Sequence, residues 1–203
     1  MARSINLIVI HCSASPSGKP LQQGKPGDPG FLNAPRVIDA WHKERGFKRS
    51  APTANTFNPW LKSIGYHYVI DLSGEVFTGR HLDEIGAHAQ DFNAESVGIC
   101  LVGGAERDGR YTPDQWKSLA IVVSMLRNAY KLPLQPPKKQ LLPTGKWAAA
   151  GGICGHRDLS PDKNGNGLVE PFEWLKTCPG FNVPDWLSTG MTPDPKNIFK
   201  ETS

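Results

Sequence analysis

The apolar, β-branched run Ile5 to Ile10 ends at a histidine, His11. A run of this kind reads as a buried central strand, and it puts the His11 side chain at a strand terminus. It is too brief for a membrane span or a signal core, and Met1 to Ser4 is short and polar. The chain is therefore expected to carry no secretory signal, to insert in no membrane and to fold in a cytoplasm, where thiols stay reduced. Cys12, Cys100, Cys154 and Cys178 are then expected as core residues or ligands rather than disulfides.

Other segments follow the same logic. Asn33 reads as an N-cap with Pro35 in the first turn, and Val37, Ile38 and Trp41 give a helix to about Arg45 one apolar face. Tyr66 to Asp71, the turn Ser73-Gly74, and Glu75 to Thr78 read as a hairpin. Val97 to Val102 predicts a second buried strand. Thr112-Pro113-Asp114-Gln115 is a capping box, and Trp116, Leu119, Val123, Leu126 and Tyr130 follow at helical spacing to about Lys131. Residues 132 to 147 hold four prolines and read as a loop; Gly151 to Cys154 predicts a small strand running to His156; residues 157 to 182 read as a long loop.

These elements imply a single α/β domain with a central mixed β-sheet flanked by helices, and the two histidines that end strands, His11 and His156, put a candidate metal site at one edge of the sheet. Its limits are expected at residues 1–189, with loop insertions at about 15–33, 46–62 and 132–148 and a frayed tail at 190–203. A chain of 203 residues is long enough for one such core. The formal charge of +4 suits an anionic partner such as an envelope polymer, and ordinary solubility explains it equally well. The expectation is a monomer with no nucleic-acid partner.

Six short words occur in order: Ile10-His11-Cys12-Ser13-Ala14, Gly65-Tyr66-His67-Tyr68, Gly86-Ala87-His88-Ala89, Ser96-Val97-Gly98-Ile99, Gly155-His156-Arg157-Asp158 and Lys176-Thr177-Cys178-Pro179-Gly180-Phe181. Singly each is weak: His11 would be a buried structural imidazole, Cys178 a core thiol, Tyr66 a strand aromatic and Lys176 a solvated charge. Together, from about residue 5 to 187, they resemble the type-2 N-acetylmuramoyl-L-alanine amidases, a group that includes small phage amidases and the peptidoglycan recognition proteins. The resemblance implies that His11, His156 and Cys178 hold zinc, leaving its fourth position open as a catalytic zinc requires. It implies that Tyr66 approaches the metal-bound water, that Lys176 stabilises the oxyanion, and that the substrate is peptidoglycan, cleaved between N-acetylmuramic acid and L-alanine during phage lysis of a host.

The resemblance also makes His88 a substrate-facing residue and puts Asn93 and Arg80 at positions that line or brace the cleft. His67 reads as supporting or structural; His42 and His81 carry no signal. Cys12 is expected on the sheet face opposite His11. Which group is the formal base stays open. So do three rivals: a non-catalytic peptidoglycan-binding module, an intracellular amidase recycling wall fragments, and a protein that inhibits a polymerase.

A second metal reading rests on the pattern Asp162-Lys163-Asn164-Gly165-Asn166-Gly167, five residues, then Glu173. It fits a calcium loop with ligands from Asp162, Asn164, Asn166, the Leu168 carbonyl and Glu173, with Glu170 acting through water. A polar Asn-Gly turn would mimic the same pattern.

Overall fold

The N-terminal run forms strand β1, Leu7–Cys12, and all six of its residues are buried. The computed structural model describes residues 3–106, 108–141 and 147–200. Among these, a five-stranded sheet has the order β3-β2-β4-β1-β7, where β2 is Tyr68–Ile70, β3 Val76–Thr78, β4 Ser96–Leu101 and β7 Gly152–Gly155. β1 runs parallel to both its neighbours, β4 and β7, and β2 is parallel to β4. Only β3 is antiparallel, joined to β2 by a turn in which Gly74 has φ +81°. Parallel strands covered on both faces need continuous apolar sequence, which β1 supplies.

The two faces of β1 are covered differently. Ile8, Ile10 and Cys12 pack with Trp116, Leu119, Val122, Val123 and Leu126 of helix α2, Pro113–Tyr130. That helix starts at the expected capping box between Thr112 and Gln115, and ends where Lys131 turns left-handed at φ +55°. On the opposite face Leu7 and Val9 pack with Ala89, Ala149, Cys154 and Leu159, while helix α1, Ala34–Glu44, covers the neighbouring strands on that face, packing Ala34 and Ile38 with Val69, Cys100 and Val102. Cys12 thus lies on the α2 side, away from His11, as alternation requires. All four cysteines are free thiols.

The structure departs from the sequence reading in three places. The stretch read as a proline-rich loop contains an antiparallel hairpin, β5 Lys138–Leu141 with β6 Trp147–Ala150. The prolines hid it, because they lie before β5 or in residues 142–146, outside the described residues. The tail is not frayed: Asn197 is buried, its Nδ2 donates to the Gly109 carbonyl, and Ile198 bridges Tyr111. Its polar, proline-rich composition gave no sign of this docking; residues 201–203 lie outside the described residues. The first hairpin strand is also shorter than read, because Tyr66 and His67 precede the regular ladder. A short helix, α3 Val183–Ser188, then seals the sheet beside β7.

Candidate functional site

Strand register builds most of the site. β1 and β7 pair so that Ile10 lies opposite Gly155. The next residues, His11 and His156, emerge side by side at the carboxyl ends of adjacent parallel strands, with ring centroids 4.7 Å apart. His11 is fully buried, whereas His156 opens a 3-10 turn and is partly exposed. Cys178 arrives from the long return loop. The Arg157 amide donates to the Cys178 carbonyl at 2.9 Å, the Tyr111 hydroxyl to the Pro179 carbonyl at 2.5 Å, and the Cys12 amide to Cys178 Sγ at 3.2 Å.

One donor atom from each of His11, His156 and Cys178 lies within 4.8 Å of the others. Cys178 Sγ is 3.9 Å from His11 Nδ1. A tetrahedral ion with Zn–N and Zn–S bonds of about 2.0 and 2.3 Å would set those two atoms roughly 3.5 Å apart, so this pair needs to close only slightly, and the two imidazoles and one thiol are a donor set that suits zinc. Burial holds the His11 imidazole well below its usual range, with His156, His88 and Lys176 adding to the effect. Burial, then Lys176, pulls His156 down to about 4. Both rings are therefore neutral near pH 7, the state in which imidazole offers a lone pair to a metal. The hydrogen bond to Cys12, then burial, pushes the Cys178 thiol well up, so metal uptake there must expel a proton.

Three more side chains surround these donors. The Tyr66 ring lies 5.1 Å from that of His11. Burial, reinforced by Cys100 and Cys178, raises its phenol well above the ordinary value and keeps it protonated. Lys176 is exposed, yet its charge is felt at both His11 and His156. His88 approaches from the other side, its Nδ1 3.0 Å from His11 Nε2.

The family described as N-acetylmuramoyl-L-alanine amidase matches residues 1–181. The chain belongs to that family. It is 35% identical over 187 residues to an endolysin of Escherichia phage T7, covering 90% of this chain and 85% of that one. It is 31% identical over 185 residues to an endolysin of Enterobacteria phage K11, covering 89% and 84%. Among solved structures, the N-acetylmuramoyl-L-alanine amidase LysC from Clostridium intestinale shares the fold at TM-score 0.57 and 22% identity, over 93% of this chain and 86% of that one.

The remaining residues singled out from the sequence of this family member divide into supports and bystanders. Asn93 Oδ1 accepts the amides of His88 and Ala89 at 2.8 and 2.9 Å, holding the His88 loop. Arg80 donates to the carbonyls of Ile64, Ile85 and Lys48, tying three segments together behind Tyr66. His67 is buried, with Nδ1 accepting the Gly98 amide at 3.0 Å. His81 stays at the surface near Asp83.

His42, which carried no sequence signal, belongs to the site's wall. Its Nδ1 accepts the Gly65 amide at 2.8 Å, and its ring packs beside Tyr66. The one available clue was its spacing four residues after Ile38 on the buried face of α1.

The loop read for calcium is closed by its own amides. Asp162 accepts from Gly165 and Gly167, both at 2.7 Å, and Glu173 from Lys163, Asn164 and Glu170. Asn164 and Asn166 donate to Glu170, and their side-chain oxygens accept the amides of Asn166 and Leu168. Asp162, Glu170 and Glu173 do not converge as the His11 group does, among the described residues.

Proposed function

We propose that this protein is a zinc-dependent amidase that cleaves the bond between the lactyl group of N-acetylmuramic acid and L-alanine in peptidoglycan. We read it as a monomeric phage-type endolysin acting on the host wall. The observation that carries the reading is the convergence of His11, His156 and Cys178, two neutral imidazoles and a thiol, at one end of a parallel sheet. Zinc held by that set would supply Lewis acidity, polarising the scissile carbonyl and acidifying a water.

The chain's own residues supply the rest. Tyr66, kept as a neutral phenol, can donate a hydrogen bond beside the reacting carbonyl or orient the attacking water. Lys176 brings a positive charge to the exposed side, where the tetrahedral oxyanion develops. The partial exposure of His156 and Cys178 leaves an approach for a polymer, while buried His11 anchors the floor. The phage role draws support from the two endolysin relatives, which align over nine-tenths or nearly so of this chain.

The test is digestion of intact peptidoglycan with and without a zinc chelator, with products read by mass spectrometry. Stem peptides beginning at L-alanine, lost on chelation and restored by zinc, are expected. Sacculi that bind the protein without release of any product would favour the non-catalytic module, and released glycan fragments would mean a different bond is cut.

A further inference from the structure

Two glycines in the sequence words have no turn to explain them. Gly98 lies inside β4, and a Cβ built there would come within 2.6 Å of His88 Cδ2 and Cγ. A Cβ on Gly86 would come within 2.4 Å of His88 Cδ2. Neither glycine has a left-handed φ, so conformational freedom is not what they provide. Both clear room for one imidazole to lie against the backbone. The words Gly86-Ala87-His88-Ala89 and Ser96-Val97-Gly98-Ile99 are thus coupled through the His88 ring, and Asn93 clamps the main chain that carries it.

The contacts of that ring have one consistent polarity. His11 turns Nδ1 toward Cys178, so the metal-facing nitrogen is the one that needs its lone pair. A neutral His11 must then carry its proton on Nε2, which faces His88 Nδ1 at 3.0 Å. Nδ1 of His88 accepts, which leaves the His88 proton on Nε2, 3.4 Å from Ser96 Oγ. Ser96 is fully buried and donates its own hydroxyl proton to the Phe92 carbonyl at 2.7 Å. Every donor from His11 to the main chain finds an acceptor, and reversing any link leaves two donors or two acceptors face to face.

We propose that His88 is a positioning residue: with Ser96 behind it, it fixes the Nε2–H tautomer and ring orientation of His11, and so presets the metal site, rather than contacting substrate. The proposal rests on the metal-site reading above. Outer partners of this kind commonly contribute 10- to 100-fold to metal affinity.

The test has two readouts. Nitrogen-15 NMR of the metal-free protein reports the His11 tautomer directly, whether or not the protein is an amidase. Zinc affinity is measured by competition with a chromophoric chelator. The wild type is expected to show a single Nε2–H tautomer at His11, His88→Leu to show a mixture, and zinc binding by His88→Leu to weaken about 10- to 100-fold. His88→Gln, whose side-chain oxygen can still accept, should recover most of that loss. If His88→Leu does not fold, Ser96→Ala carries the test, with the same tautomer mixing to a smaller extent. An unchanged tautomer with unchanged zinc affinity overturns the proposal, as does a variant that alters only KM for peptidoglycan. A wild type with the Nε2–H tautomer but no zinc affinity would instead overturn the metal reading and leave the His11–His88 pairing standing.

Discussion

The imidazole of His42 lies 5.2 Å from the ring of Tyr66, and its Nδ1 accepts the amide of Gly65, the residue just before that tyrosine. A helix residue thereby sets both the backbone and the ring position of the phenol at the site. His42→Ala should leave the buried Gly65 amide without its acceptor and cost about 1–3 kcal/mol. It should also lower kcat while leaving zinc content unchanged. Thermal unfolding and metal analysis of the same preparation check both parts; an unaltered kcat would remove His42 from the support of Tyr66.

Tyr66→Phe keeps the ring and deletes the hydroxyl. We expect kcat to fall about 10²- to 10⁴-fold, the range for loss of a proton-handling group, with stability little changed. Cys178→Ser and His156→Ala should instead abolish both hydrolysis and tight zinc binding. Retention of full activity by either ligand variant after exhaustive chelation would sink the mechanism.

Stability should depend on pH in a definite direction. Burial first, then Arg45 and Arg80, lowers His42 to about 4, and burial with Arg3 and Arg80 lowers His67 to about 3. In the unfolded chain both titrate near 6.5. Between those values the unfolded state binds more protons, so stability falls as pH drops below about 6.5. For His42 the loss reaches roughly 3 kcal/mol by about pH 4, at 1.36 kcal/mol per unit. Urea denaturation of the metal-free protein across this range checks it, and a flat profile would contradict the buried, neutral state of both rings.

The loop at 46–62 gives a fourth case. Arg49 and Glu84 form a salt bridge with both side chains almost wholly buried, and Arg49 also donates to the carbonyls of Phe57, Asn58 and Leu61. Arg49→Met strands the carboxylate and should cost about 3–5 kcal/mol. Replacing both partners by apolar residues should be milder, though it leaves those carbonyls unsatisfied. Chemical denaturation of the single and double variants separates the two effects.

The sequence made some of this legible for physical reasons that can be named. β1 was visible because a strand buried on both faces must be apolar throughout, and α2 because its capping box and periodic apolar residues agree. The donors His11, His156 and Cys178 were read through resemblance; the geometry that unites them is register between β1 and β7, a long-range property that no local pattern encodes. The β5–β6 hairpin was hidden because Ala148 to Ala150 lacks the branched side chains that mark strands. Yet Lys139 on β5 donates to the carbonyls of Asp158 and Ser160, supporting the turn that follows His156. The contact of His88 Nδ1 with His11 Nε2 was hidden too, since it joins residues 77 positions apart.

The pairing of His11 with Cys178 joins positions 167 residues apart. An ion shared by them would close most of the chain into a ring, fastening the first strand to the return loop as a reversible staple. Such a staple restricts the unfolded ensemble as any long-range cross-link does, and it stabilises only the state in which both ends have already met. Removing the metal should therefore loosen the protein as well as silence it, with the return loop around Cys178 the first segment to gain hydrogen exchange.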